Sequence, residues 1–508
     1  MDKGQLNRIV SLLSEKGPLT SDELAQFIVD KGIAKSADAS RKAIARVFQE
    51  GRIKSSSPIR FNKTYLYYLD KHEGKKYAHA IIKLLPTKPS FHRVYKTILA
   101  NKGWITYGQI IKSASGVPPS AIGSCGGRLK GPDVVDQLIK LKMIREWKAV
   151  PGLYICEDGF KRDMISASMF CKWIRSDQLL MPSFVDWCRN CLLMGWNSST
   201  YRDIEFNAVP FNSCYWDIVG PTFFGPFASS EDLLNLPNEK KHQAFIVSDV
   251  QTYREYSKND ADCFLDRIKS LVCVWKSISL VPVVLAGGYS KQAFQDLKSR
   301  GVIPLTIDAV YGSKFSKFMK LYYELIKESQ GEISLEKLTN SLGLSDEIDV
   351  DEALKSNIKG DLFELIVAMA YKHLGYSTIM KKFVTIKSEL LTFEIDVVAN
   401  KGEAECLIIE CKGRNKDCLE GVEEIRKHFG ERCRAAADEA GWNVVNLFKV
   451  VKAIFITTGN LGTDAVAYVD KVKKSHGIEC SVLTRNQVME LLDETGEASL
   501  ATLVNQYY

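Results

Sequence analysis

The chain has 508 residues, more than one hydrophobic core supports, so three or four domains are expected. Hydrophobic content of 45% and charged content of 25% exclude a disordered or fibrous protein, and no run approaches the 18 apolar residues of a membrane span. The net charge of +7 hides an asymmetry: residues 1–160 hold 27 Lys/Arg against 14 Asp/Glu, or +13, which leaves −6 for the remainder. Between Gly74 and Pro132 there are ten Lys/Arg and no acidic residue, the footprint of a nucleic-acid-binding end. The segment MDKGQLNRIV is too polar for a signal peptide, so a cytoplasmic location is expected, with no membrane partner.

Residues 1–72 read as a small helical domain closed by a hairpin. QLNRIVSLLSEKG has helical spacing and stops at Gly17-Pro18. Thr20 and Glu23 form a capping box that opens a second helix, DELAQFIVD. A third helix runs from about Asp38 to Gln49 and carries Arg41, Lys42 and Arg46; RIKSSSPIRFNKTYLYYL supplies two strand-like runs. Three helices and a hairpin make a winged helix, whose third helix enters the major groove of DNA. Arg41, Lys42 and Arg46 are therefore candidate nucleic-acid contacts. Residues 76–160 repeat the plan, with helices in FHRVYKTILANKG, WITYGQIIKSASG and PDVVDQLIKLKMI and a wing in REWKAVPGLYIC, interrupted by the Gly-rich insert SCGGRLKGP. Winged helices also bind proteins; the surrounding charge favours DNA.

Residues 163–312 change texture, to long helices and then short apolar strands such as FIVSDV and VPVVLAGG. Thirteen cysteines scattered through the whole chain fit reduced thiols, and Cys188 and Cys191 have C-x-x-C spacing but no second pair to complete a zinc site. Residues 313–355 read as a helical connector ending in the acidic SDEIDVDEA.

From residue 356 to 508 the order is helix, strand, strand, helix, strand, helix, strand. KGDLFELIVAMAYKHLGY is apolar almost all round, so its Glu364 should be buried and partnered. The strand TFEIDVVA carries Asp396. In CLIIECKG, Glu410 and Lys412 are two residues apart and share one face.

The series Glu364, Asp396, Glu410-Cys411-Lys412 resembles the PD-(D/E)xK, or restriction-endonuclease-like, nuclease superfamily, and within it the Mrr-like restriction endonucleases. The resemblance covers about 140 residues and includes element order; Ile395 stands where the family motif has proline. It implies that Asp396 and Glu410 hold Mg2+ (or Mn2+), that Lys412 positions the attacking water, and that Glu364 assists. Arg414 is a candidate phosphate clamp. The competing reading is a buried ion-pair network without catalysis.

The 163–312 region can be laid over this domain in order, matching Asp217 with Asp396, Asp249 with Glu410 and Gln251 with Lys412. Gln carries no charge, and the matching helix offers Asp186 rather than a clear Glu, so this reads as a degenerate second copy. The expected architecture is thus a multidomain α/β protein with a winged-helix N-terminus and two restriction-endonuclease-like domains. The expected function is metal-dependent endonuclease cleavage of DNA, of a restriction or defence type, with a homodimer or an unidentified partner protein left open. The alternatives are a non-catalytic DNA-binding regulator and a branched-DNA or RNA nuclease.

Overall fold

The computed structural model describes residues 3–115, 131–160, 164–196, 199–202, 207–212, 214–222, 244–274, 279–329, 331–348, 350 and 352–508. Most of the expected Gly-rich insert and part of the segment laid over the Asp396 strand lie outside the described residues. The chain is mixed α/β and forms two compact units: Met1–Ile165 with Val185–Leu305, and Ser166–Phe184 with Thr306–Tyr508. No helix among the described residues is long and apolar enough to cross a membrane.

The first unit begins with α1 (Lys3–Lys16), β1 (Leu19–Thr20), α2 (Ser21–Asp30), α3 (Ala37–Gln49), β2 (Lys54–Ser55) and β3 (Leu66–Tyr68). Gly17, at φ +89°, ends α1 in a conformation that costs glycine nothing. The Thr20 hydroxyl accepts the Glu23 N–H (3.3 Å) and the Glu23 carboxylate accepts the Thr20 N–H (2.8 Å), the reciprocal cap expected from sequence. Leu6, Ile9, Leu24, Ile28, Ile44 and Val47 form the core beneath these helices, and the small antiparallel sheet has the order β1-β3-β2.

α4 (Lys75–Leu84), at the start of the expected second segment, joins it to the first. Its Tyr77 and Ile81 enter one core with Phe61 and Tyr68 on one side and with Phe91, Ile98 and Leu138 on the other. The last three belong to α5 (Pro89–Ala100) and α7 (Gly131–Lys140), which pack with α6 (Tyr107–Ala114) and a sheet of β4 (Trp104–Thr106), β5 (Ile144–Glu146) and β6 (Leu153–Cys156) in the order β4-β6-β5. A division between residues 72 and 76 therefore cuts a shared core.

α8 (Ala167–Asn190) follows, and its first part belongs to the second unit. The first unit resumes with β7 (Thr200–Tyr201), β8 (Ile218–Thr222), β9 (Ala244–Gln251), α9 (Lys258–Val274), β10 (Ser279–Ala286), α10 (Lys291–Ser299) and β11 (Ile303–Thr306). The sheet order is β11-β10-β9-β8-β7; β7, β8 and β9 pair antiparallel and β9 with β10 parallel.

The second unit continues with α11 (Ser313–Glu328), α12 (Leu335–Glu347) and α13 (Glu352–His373), and α13 is buried along most of its length, as its all-apolar sequence requires. Then come β12 (Ser377–Ile386), β13 (Leu391–Lys401), β14 (Glu405–Lys412), α14 (Val422–Lys427), a π-helical turn at His428–Arg432, and α15 (Cys433–Ala437). β15 (Val450–Thr457), α16 (Thr463–Lys471), β16 (Lys474–Ser475), β17 (Ile478–Leu483), α17 (Arg485–Glu494) and α18 (Ala498–Tyr507) complete it. The sheet order is β12-β13-β14-β15-β17-β16, with β12, β13 and β14 antiparallel and β14, β15 and β17 parallel. Both large sheets thus run antiparallel, antiparallel, parallel through their centres.

Candidate active site

β13 and β14 lie side by side at the middle of the second unit's sheet, and α13 packs on them. This brings the three elements carrying Glu364, Asp396, Glu410 and Lys412 into one neighbourhood. Asp396 Oδ2 accepts the Cys411 N–H at 2.9 Å, which fixes the aspartate against the strand that bears Glu410 and Lys412. Lys412 Nζ is 3.0 Å from Glu410 Oε1 and 3.4 Å from Glu424, so the two strand residues do share a face. Arg432, presented by the π-helical turn, stands 3.2 Å from the same Glu410 oxygen and donates from Nε to the Glu394 carbonyl (3.0 Å). The second oxygen, Glu410 Oε2, is buried and has no hydrogen-bond partner.

Glu364 is held between two ammonium groups. Lys381 lies 2.5 Å from its Oε1 and Lys172 3.1 Å from its Oε2. Lys381 also reaches Asp396 Oδ1 (2.7 Å) and Glu394 Oε1 (3.0 Å), while Lys172 also reaches Asp361 (3.1 Å), whose other oxygen accepts the Tyr322 hydroxyl (2.6 Å). Lys172, Lys381, Glu394, Asp361 and Arg432 are absent from the sequence-derived site. Lys172 sits 192 residues before Glu364, beyond any local pattern. Lys381 did leave a trace, the pair Lys381-Lys382 inside an otherwise strand-like run.

Crowding of buried carboxylates sets the electrostatics. Burial raises Glu410 to about 7, with the Asp396 charge adding to it against Arg432 and Lys412. Burial likewise raises Glu364 to about 8 despite Lys172 and Lys381. Burial also works against ionised Asp396, but Lys381 and the Cys411 N–H outweigh it and bring that carboxyl down to about 2. Of three neighbouring acids, one is firmly ionised and two hold protons readily, the pattern of carboxylates that share too little positive charge. Among the described residues no three His, Cys, Asp or Glu side chains are gathered as a ready metal cage. Asp396 and Glu410 nonetheless offer two hard oxygen donors, one with an unused buried oxygen, and that set fits an ion such as Mg2+ that keeps several of its waters.

The first unit's large sheet carries a parallel arrangement with a different outcome. Asp217, just before β8, accepts the Val250 N–H at 2.9 Å, as Asp396 accepts that of Cys411. Lys112 of α6 is 2.5 Å from Asp217 Oδ2 and 3.5 Å from Asp249, and Arg202 is 3.2 Å from Asp217 Oδ1. Arg267, itself buried and lying over the Trp216 ring, pairs with both oxygens of Asp249. Burial opposes the charge on Asp249, yet Arg267 and Lys112 hold its carboxyl below the usual range. Two carboxylates thus face three cations. Gln251 is half-buried with its amide nitrogen unpartnered, and Asp186 is exposed and bonded to Arg189 (2.8 Å), away from this cluster.

The remaining candidates lie outside these two clusters. Arg41, Lys42 and Arg46 are exposed on α3, and Arg41 is paired with Asp22 and Asp38. Arg414 is tied to Glu420 at 2.8 Å. Cys188 is buried on α8 and Cys191 is exposed just beyond it, both as free thiols.

No family model and no curated protein matches the chain. One solved structure, described as "Crystal Structure of Protein of Unknown Function AF1548", is similar to it at 20% identity over 28% of this chain and 79% of that one. Its TM-score is 0.20.

Proposed function

We propose that the chain is a metal-dependent endonuclease that hydrolyses phosphodiester bonds in DNA, with Asp396, Glu410 and Lys412 as its catalytic core. The observation that carries this reading is the convergence of these three side chains in the interior of one sheet with a buried Glu410 oxygen left unpartnered. An unsatisfied buried acceptor costs about 1–3 kcal/mol, a cost that a bound cation at Glu410 would offset. Asp396 and Glu410 would hold Mg2+ or Mn2+, which supplies Lewis-acid polarisation of the phosphate and a lower pKa for bound water. Lys412, anchored on Glu410, presents an ammonium to the charge that grows on the phosphate and orients the attacking water. Asp396 is kept ionised, the form a metal needs, by Lys381 and the Cys411 N–H.

In this reading residues 1–72 and 76–160 act as winged helices that bind DNA through phosphate contacts, Arg41, Lys42 and Arg46 among them. The 163–312 region is a degenerate copy of the nuclease domain. Its support is the shared strand pattern, the matching Asp217 and Asp396 hydrogen bonds, and a cation excess at Asp217 and Asp249 that leaves a metal ion nothing to neutralise. Its role would be non-catalytic.

Cleavage of supercoiled plasmid with Mg2+ or Mn2+ tests the proposal. Asp396→Ala and Lys412→Ala should each slow it by about 100-fold or more, the scale of losing one charge-stabilising group. Asp249→Asn should leave the rate within a few-fold. Undiminished cleavage by the first two variants would sink the assignment. A wild-type chain that neither cleaves DNA nor gains thermal stability from Mg2+ would favour a DNA-binding regulator.

A further inference from the structure

We propose that Lys381 is a resident counter-cation: its ammonium holds the Asp396 oxygen that a divalent ion at Asp396 and Glu410 would use, so metal and ammonium compete for that carboxylate. The inference rests on the metal-site reading above and adds to it a competitor built into the chain.

Three observations converge. The ammonium donates hydrogen bonds to Glu364 at 2.5 Å and Asp396 at 2.7 Å, and forms an ion pair with a third carboxylate, Glu394, at 3.0 Å. Its side chain is 9% exposed, so this charge is enclosed by the pocket rather than resting over it. A hard dication bound to Asp396 Oδ1 at its usual distance of about 2.1 Å would stand within roughly 5 Å of Nζ, by adding that distance to the observed 2.7 Å. Two positive charges that close in a water-poor pocket repel strongly. Occupancy by one therefore weakens occupancy by the other.

The backbone points the same way. Lys381 adopts φ +53° within β12, and the ladder pairs Met380 with Val397 and Lys382 with Ile395 while skipping Lys381 and Asp396 between them. A lysine has no intrinsic preference for that conformation, which persists where surrounding contacts over-determine it. The charged contacts at this position are the carboxylates of Glu364, Asp396 and Glu394. Lys172 supplies the means of release: it engages the other oxygen of Glu364 and also Asp361, so Glu364 retains a cationic partner when Lys381 leaves.

The test is calorimetric titration of the full chain with Mn2+, comparing wild type with Lys381→Met and Lys381→Gln. Both variants should bind Mn2+ at least tenfold more tightly than wild type, and Mn2+ should raise their melting temperatures by more. Should Lys381→Met fail to fold without metal, Lys381→Gln, which keeps a hydrogen-bond donor, decides the comparison. Wild type that binds Mn2+ together with folded variants that bind it no better would overturn the counter-cation role and leave the metal site standing. Absence of Mn2+ binding by all three folded proteins would overturn both.

Discussion

At the scale of single residues, two buried groups near the sheet pull stability in opposite directions with pH. His428 is fully buried in the π-helical turn, and burial, then the nearby Arg432 charge, lower it to about 3. Between about pH 3 and 6.5 the unfolded chain binds this proton and the folded chain does not, so stability falls as pH drops through that window. The loss is up to about 1.4 kcal/mol per pH unit. Glu410, raised to about 7, does the reverse: the folded chain holds the extra proton between about 4.5 and 7, and stability falls as pH rises. Urea unfolding at pH 7 and pH 5 gives their net effect in the wild type, and a variant at one group separates the two. His428→Gln should lessen the acid-side loss by about 2 kcal/mol; a variant with the wild-type pH dependence would place that lability elsewhere.

At the scale of elements, the exposed cations of α3 make a prediction about salt. Lys42→Ala and Arg46→Ala should each weaken DNA binding and each reduce the slope of log K against log salt by about one, without altering sequence preference. Variants with an unchanged slope would remove α3 from the DNA-facing surface. The elements themselves were largely legible. The Thr20 capping box, the all-apolar α13 and the strands of Asp396 and Glu410 follow from patterns a few residues long, and the structure has each of them. The shared face of Glu410 and Lys412 was legible for the same reason, because spacing within a strand fixes the face. What surrounds those residues was not. Lys172 and Arg432 reach the cluster through tertiary packing and through a π-helical turn that no local period announces. The shared core around α4 was missed because a core that joins two similar segments leaves each segment's own pattern intact.

At the scale of the whole molecule, the second unit is discontinuous in sequence, since Ser166–Phe184 belongs with Thr306–Tyr508. Within that unit the Ser176 hydroxyl bonds Tyr323 (3.0 Å), the Tyr311 hydroxyl bonds the Leu180 carbonyl (3.4 Å) and Lys172 pairs with Glu364. Phe170, Ile174, Met181 and Phe184 are buried there as well. Four such side chains are worth on the order of 6–12 kcal/mol at about 1.5–3 each, comparable with the stability of a domain. A fragment of residues 306–508 should therefore melt broadly or not fold, and a peptide of residues 166–184 added in trans should restore a cooperative transition by circular dichroism. A fragment that melts cooperatively alone would show that the α8 segment is dispensable.

The same discontinuity sets a schedule during synthesis. Phe184 is made 122 residues before Thr306, the difference of the two positions. At about 5–20 residues per second the apolar side of the α8 segment waits roughly 6–24 seconds for the partners that will cover it. For that interval the nascent chain carries an amphipathic half-helix with nothing yet made to bury it, and that is where a holding chaperone would find its purchase.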